Sequence, residues 1–297
     1  HNLLFVGSPG SGKTLLAKAL KGILPPLNDA ELMEVILLRS TAGLNLELSR
    51  ERPFRSVHHT ASSVAICGGG TQLRPGEISL ASRGVLFLDE FPEFSRDVIE
   101  ALRQPLEDGS ISVSRASGSV VYPAKVLVAA ACNPCPCGYA GDPEHRCSCS
   151  ASALERYRRK LSGPILDRID LHIAVPRLTP EELVSAGGSE GECSAQVRAR
   201  VTEARKLQAE RWAPFGFQCN SEIPEKLLRR GSSLKPEVKS FILNVLKTVK
   251  LSGRGLSRVL RVARTIADLE KSAQIEVAHV AEAAGYREGE ATSWMHS

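Results

Sequence analysis

A four-residue apolar run, Leu3-Leu4-Phe5-Val6, leads without a break into Gly7-Ser8-Pro9-Gly10-Ser11-Gly12-Lys13-Thr14. That junction constrains the fold more than any other stretch. A continuous apolar tetrad ending in glycine reads as a strand buried on both faces. After it, Leu15, Leu16, Ala19 and Leu20 recur at helical spacing over about Gly12 to Gly22. The octet matches G-x-x-x-x-G-K-[ST] and lies between strand and helix, the context in which this pattern cradles phosphate. Glycines let backbone N–H groups converge on phosphate oxygens, and the helix N-terminus adds partial positive charge. Lys13 is expected to reach the outer phosphates and Thr14 to ligate Mg2+ through its hydroxyl.

The same alternation continues downstream. Val85–Leu88, Val126–Ala130 and Leu171–Val175 read as further buried strands. Between them fall helices at Asp29–Leu38, with Asn28 as cap, and at about Arg96–Glu107, with Ser95 as cap. Apolar strands alternating with helices predict an α/β fold: a P-loop parallel sheet with helices on both faces. Ile111–Val113 and Val120–Tyr122 alternate like an exposed hairpin around Arg115-Ala116-Ser117-Gly118. After Pro176 only helical periodicity remains: Ser194–Trp212, Pro236–Thr248, Gly255–Lys271 and Val277–Ala284. In the third of these, Leu256, Val259, Leu260, Ala263, Ile266 and Leu269 form one apolar stripe. The sequence therefore divides into an α/β core, 1–176, and a linker plus all-helical domain, 177–297, with a flexible break at Gly187–Glu192.

Asp89, at the carboxyl end of the second strand, suits the Mg2+ water shell, and Glu90 beside it suits polarising an attacking water. Capping the turn before Pro92 is the plainer role for both. Asn133, at the end of the third strand, is placed to orient water near a γ-phosphate.

The 297 residues are 42% hydrophobic and 24% charged, the make-up of a globular protein. No apolar run approaches the roughly 20 residues that a membrane-spanning helix needs. No signal peptide opens the chain, which reads as cytoplasmic, and the start at His1 directly before a strand reads as a fragment. A net charge of +5 permits a polyanionic partner without requiring one. Among eight cysteines, Cys135, Cys137, Cys147 and Cys149 form C-x-C and C-x-C with nine residues between. Four thiolates on two tight turns suit a structural Zn2+, with His145 as an alternative ligand; reduced thiols or a redox disulfide are the competing readings.

Together with the P-loop, Asp89-Glu90 and Asn133, several stretches are specific. They are Phe54–Thr60, Gly68-Gly69-Gly70, Arg74–Ala81, Pro105–Gly109 and Ser162–Asp170. In combination the chain resembles the magnesium-chelatase-like group of AAA+ ATPases, most closely its ComM/YifB branch, up to about Arg287. The resemblance implies an ATP-hydrolysing ring, most often a hexamer, with ATP and Mg2+ as cofactors and a helical lid. Arg168 matches the family's arginine finger, which enters a neighbouring subunit's ATP site; pairing with Asp167 or Asp170 is the plainer role. Arg254 matches the lid's sensor arginine, with Arg258 one turn later as competitor. Ala61–Glu77 corresponds to the family's helix-2 insertion and Ile111–Tyr122 to its pre-sensor hairpin. Arg74, Arg115 and Lys125 are then candidate DNA contacts, although each also suits an ordinary solvated surface.

The branch implies DNA translocation or branch migration in recombination or natural transformation. A tetrapyrrole metal-insertion subunit is the alternative, and a non-hydrolysing scaffold ranks third. Family members carry a Lon-protease-like domain ahead of the core, which this sequence lacks and which is expected to carry further contacts.

Overall fold

The computed structural model describes every residue except 71, 116–117, 143, 162, 186–190, 232–233, 250 and 289–297. The tip of the hairpin turn, most of the expected break at Gly187–Glu192 and the tail from Gly289 therefore lie outside the described residues.

The chain begins with β1 (Leu3–Val6), α1 (Lys13–Ile23), α2 (Asp29–Thr41) and β2 (Phe54–Val57). A small excursion follows, with α3 (Ser63–Cys67), β3 (Gly68–Gly69), β4 (Arg74–Pro75) and α4 (Glu77–Leu80). Next come β5 (Val85–Leu88), α5 (Arg96–Ala101), α6 (Arg103–Asp108), the hairpin β6 (Ser110–Arg115) and β7 (Gly118–Pro123), and β8 (Leu127–Cys132). Helices α7 (Ala151–Lys160) and α8 (Gly163–Leu166), strand β9 (Leu171–Ala174) and α9 (Pro180–Ser185) close this part. The remainder is helical: α10 (Ser194–Trp212), α11 (Glu225–Gly231), α12 (Pro236–Val249), α13 (Gly253–Leu269) and α14 (Val277–Glu288).

Five strands form one sheet in the order β2-β5-β8-β1-β9. The pairs β2–β5, β5–β8 and β1–β8 are parallel, as the alternation of strands and helices requires. Leu4, Val85, Leu86, Leu88 and Ala129–Ala131 have no exposed surface, so these central strands are covered on both faces.

Strand β2 had no apolar signature. Its residues Phe-Arg-Ser-Val mix polar and apolar side chains because it lies at the edge of the sheet. The single helix expected over Arg96–Glu107 is two, separated at Leu102. Pro105 has no N–H to donate to the carbonyl of Ala101, so the ladder breaks there. Ser95 is the N-cap of α5 by position, but its side chain makes no capping bond. Asn28 does cap α2, in a reciprocal capping box with Glu31. The hairpin is less exposed than its alternation suggested: Ile111, Val113 and Tyr122 are buried, while Val121 faces out. On α1 the helix buries Ala17 and leaves Leu15 and Leu16 exposed, by 73% and 45%.

By contact density the chain falls into two compact units, Asn2–Ile169 with Ala174–Ser189, and Asp170–Ile173 with Glu190–Ser297 and His1. The second unit has its own core, built from Trp212, Ile223, Leu228, Val259, Ala263, Val280 and neighbouring apolar side chains. Within α13 the expected stripe holds except at Leu269, which is exposed, and the buried surface extends to Arg264 and Asp268. Buried Asp268 accepts two hydrogen bonds from Arg211 (2.6 and 2.9 Å), one from Arg264 Nε (3.1 Å) and one from Asn220 (2.8 Å). Trp212 in turn donates to Asn220 at 2.8 Å. Replacing Asp268 with Ala should destabilise this unit by about 3–5 kcal/mol, because Arg264 would stay buried without its carboxylate. Urea unfolding followed by tryptophan fluorescence measures it; a loss below about 1 kcal/mol would show that the cluster contributes no more than a surface pair.

Candidate phosphate-binding site

All sequence-expected residues of the phosphate site except the arginines stand at the carboxyl ends of three adjacent strands. The 7–12 loop leaves β1, Asp89 and Glu90 follow β5, and Asn133 follows β8. Parallel pairing produces this: Val6 lies beside Cys132 and Leu88 beside Ala130, so their successors emerge on one edge.

Gly10 and Gly12 adopt left-handed backbone (φ 80° and 90°), a conformation that turns the loop tightly before α1. Gly12 is the N-cap of α1 and makes no side-chain capping bond, so the first-turn N–H groups of the helix have no partner from that residue. Lys13 Nζ donates to the carbonyls of Gly7 (2.7 Å) and Ser8 (2.9 Å) and to Asn133 Oδ1 (3.2 Å). Burial lowers its pKa, and neighbouring Asp89 opposes that shift.

Thr14 Oγ1 donates to Asp89 Oδ2 at 3.0 Å, which brings together the two oxygen groups expected to serve Mg2+. Hydroxyl and carboxylate are hard donors of the kind Mg2+ selects, so the residues fit the ion. Asp89 Oδ1 accepts from the amide of Glu90 at 2.9 Å. Glu90 itself is left-handed (φ 49°, ψ 45°), an uncommon state for a residue with a Cβ. This conformation separates the directions of the two adjacent carboxylates, leaving Asp89 for Thr14 and Glu90 for His59. His59 Nδ1 lies 2.9 Å from Glu90 Oε2, and the rings of His58 and His59 are 4.1 Å apart.

Several contributors carried no assigned role in the sequence. His59 lies just beyond β2, and its signal was the unusual His-His pair after that strand. Tyr157 on α7 donates its hydroxyl to the Asn133 carbonyl at 2.9 Å, fixing the residue that meets Lys13. Asp142 faces the Ser8 hydroxyl. That contact, with the amides of Glu144 (3.0 Å) and His145 (2.9 Å), holds its carboxyl down at about 2.

The arginines are placed separately. Arg168 is buried and its guanidinium donates to Glu107. Its carbonyl accepts from Asn2 Nδ2 (3.1 Å), while Asn2 Oδ1 accepts from the amide of Val128 (2.9 Å). In the helical unit Arg258 is tied to buried Asp170 at 2.7 Å, whereas Arg254 is exposed in the first turn of α13. Arg74 and Lys125 are exposed, and Arg115 ends β6. The hydroxyl of Tyr122 on β7 donates to the Leu73 carbonyl at 2.6 Å, which joins the hairpin to the segment carrying Arg74.

The four clustered cysteines do come together, with their sulfurs within 4.8 Å of one another. His145 is not among them; it contacts Asp142 and stacks on Tyr139. Among the described residues no helix is long and apolar enough to cross a membrane.

Asn2→Ala should lower stability by about 1–3 kcal/mol, since it strands a buried amide on β8 and the Arg168 carbonyl together. Denaturant unfolding of the variant checks this, and an unchanged midpoint would show that neither group depends on Asn2.

Comparison with known proteins identifies the family. The family described as magnesium chelatase, subunit ChlI, matches residues 1–183, and its C-terminal counterpart matches residues 191–287. The chain is 46% identical to the competence protein ComM of Haemophilus influenzae, over 97% of this chain and 55% of that protein. It is 43% identical to the uncharacterized protein YifB of Escherichia coli, over 97% of this chain and 56% of that one. Chloroplastic magnesium-chelatase subunit ChlI of Chlamydomonas reinhardtii is 25% identical over 73% of this chain and 56% of its own length. The chain thus spans about half the length of these curated relatives. With a P-loop on a parallel five-stranded sheet and both family segments matched in order, this chain belongs to the magnesium-chelatase-like family of AAA+ ATPases.

Proposed function

We propose that this chain is the ATP-hydrolysing core of a ring-forming motor that acts on DNA. The observation that carries the ATPase reading is the convergence of Lys13, Asn133 and the Thr14–Asp89 pair (3.0 Å) on one sheet edge. In this reading the backbone N–H groups of the Gly7–Gly12 loop bind the phosphates and Lys13 moves its donors from the loop carbonyls to phosphate oxygens. Thr14 and Asp89 would hold Mg2+, which would supply charge neutralisation for the bound phosphates. Glu90 takes the proton of the attacking water, oriented by Asn133. Arg168 serves a neighbouring subunit's site, with Glu107 orienting its guanidinium. Arg254, exposed in the first turn of α13, acts as the sensor arginine.

A ring has further support in the surface of α1. Leu15 and Leu16 stand exposed next to Lys13 and Thr14, an apolar patch of the kind that assembly covers. The DNA reading rests on the hairpin. Its base and the Arg74 segment are tied by Tyr122, and Arg74, Arg115 and Lys125 supply cationic groups suited to phosphate contacts. The name of the competence protein ComM is in keeping with action during DNA uptake. A chelatase-type remodelling subunit is the second reading, favoured by the family description and the ChlI relative. Copurification with a large tetrapyrrole-binding subunit, and no response to DNA, would favour it.

Glu90→Gln should keep nucleotide binding and lose hydrolysis by about 10^2- to 10^4-fold, the usual contribution of a general base. Phosphate release alongside fluorescent-nucleotide titration tests this, and unchanged turnover would leave a scaffold in place of a motor. ATPase activity should also rise on adding DNA and fall steeply with salt. Neutralising Arg74, Arg115 and Lys125 together should reduce the slope of log binding against log salt, by about 0.9 for each duplex phosphate that no longer meets a cation. An unaltered slope in the triple variant would remove the hairpin from the DNA interface.

A further inference from the structure

The four clustered cysteines take no part in the chemistry above, yet their loop is built against the phosphate site. Cys135 and Cys137 follow β8, and Cys147 and Cys149 lead into Ser150, the N-cap of α7, whose hydroxyl accepts from Ala153 at 3.3 Å. The Sγ atoms of Cys135 and Cys137 are 3.3 Å apart, those of Cys135 and Cys147 3.7 Å, and those of Cys137 and Cys147 3.6 Å. Four thiolates bound at about 2.3 Å around one tetrahedral Zn2+ lie about 3.8 Å from each other. A disulfide needs about 2.05 Å, and all four cysteines are free.

Backbone amides also point at the sulfurs: Cys137 N–H donates to Cys149 Sγ (3.4 Å) and Ala140 N–H to Cys135 Sγ (3.2 Å). N–H donors of this kind fix the direction in which a ligating sulfur points. With His145 turned away, the donor set is all sulfur, which favours Zn2+ over the hard cations that oxygen sites hold.

The intervening loop packs against Pro9 of the phosphate loop and comes near Ser8. Gly138 has φ 90°, and a Cβ there would come 2.6 Å from the Pro9 ring. Asp142 lies near Ser8, whose hydroxyl is the main influence holding its carboxyl low. Cys135 itself stands two residues after Asn133, the partner of Lys13.

We propose that Cys135, Cys137, Cys147 and Cys149 hold one Zn2+ as a tetrathiolate centre, and that this centre pins the 134–149 loop onto the phosphate-binding loop. Each thiol releases its proton to solvent as its Zn–S bond forms. The centre then carries a net charge of −2, next to the N-cap of α7, where the partial positive charge of the helix favours it. Ordering 134–149 orders Pro9 and Ser8 from outside the sheet, in a way β1 alone does not.

The full chain, purified under reducing conditions, should contain one zinc per polypeptide by elemental analysis. Replacing the zinc with cobalt should produce sulfur-to-cobalt charge transfer and the d–d bands of a tetrahedral ion. Hydrogen exchange should quicken several-fold in peptides covering both 7–14 and 134–149 when zinc is stripped, and return when zinc alone is restored. Cys149→Ser should lower zinc content and speed exchange in the same two segments; the cobalt spectrum of the unaltered chain decides the matter should that variant not fold. Metal-free protein together with no tetrahedral cobalt spectrum overturns the centre. Stoichiometric zinc with faster exchange confined to 134–149 overturns the pinning. The pinning is argued toward the phosphate site proposed above, and nucleotide titration separates the two. A zinc-loaded chain that protects both loops but binds no ATP supports the centre and removes only the ATPase reading.

Discussion

Parallel pairing of β1, β5 and β8 is the constraint on which the candidate site depends. Parallel strands deliver all their carboxyl ends to one edge, so residues far apart in sequence emerge side by side. The register Val6–Cys132 makes Gly7 and Asn133 the next residues out, and Leu88–Ala130 brings Asp89 to the same edge. A slip of one residue in β5 would turn every side chain to the opposite face. Continuous burial of Val85–Leu88 and Ala129–Ala131 holds the register, and the small alanines of β8 let helices approach closely.

Polar contacts refine what the sheet places. The left-handed conformation of Glu90 lets two consecutive carboxylates address different partners, Thr14 and His59. Asn2 bridges the Val128 amide and the Arg168 carbonyl, so the backbone of the finger candidate is tied to the same sheet. In the helical unit the corresponding anchor is Asp268, whose carboxylate collects two arginines and Asn220 within an apolar core. Burying such groups is tolerable because each finds a partner.

Elements whose burial is two-sided or whose periodicity is long were legible from sequence: β1, β5, β8, α10, α12 and α14 lie within a few residues of expectation. Strand β2 was not, because an edge strand need not be apolar throughout. Helix periodicity alone also did not register that Pro105 removes the hydrogen bond to the Ala101 carbonyl, where α5 gives way to α6. Leu15 and Leu16 show the converse limit, since spacing identifies a helical face without identifying what covers it. Within the candidate site, Lys13, Thr14 and Asp89 belong to short local patterns, and Asn133 was placed by its position at a strand end. His59, Tyr157 and Asp142 were not readable, as each gains its meaning from a partner distant in the chain.

By itself the sequence determined a P-loop at a strand–helix junction, an α/β region followed by a helical one, and a clustered set of four thiols. These are local properties, set by glycine placement, apolar spacing and cysteine spacing. Tertiary structure alone decided that Arg168 meets Glu107, that Arg258 is committed to Asp170 while Arg254 is exposed, and that the cysteine loop rests on Pro9 and Ser8. The reason is physical: a charged or sulfur-bearing side chain takes the partner that packing brings within about 3–4 Å, and no local pattern records which partner that is.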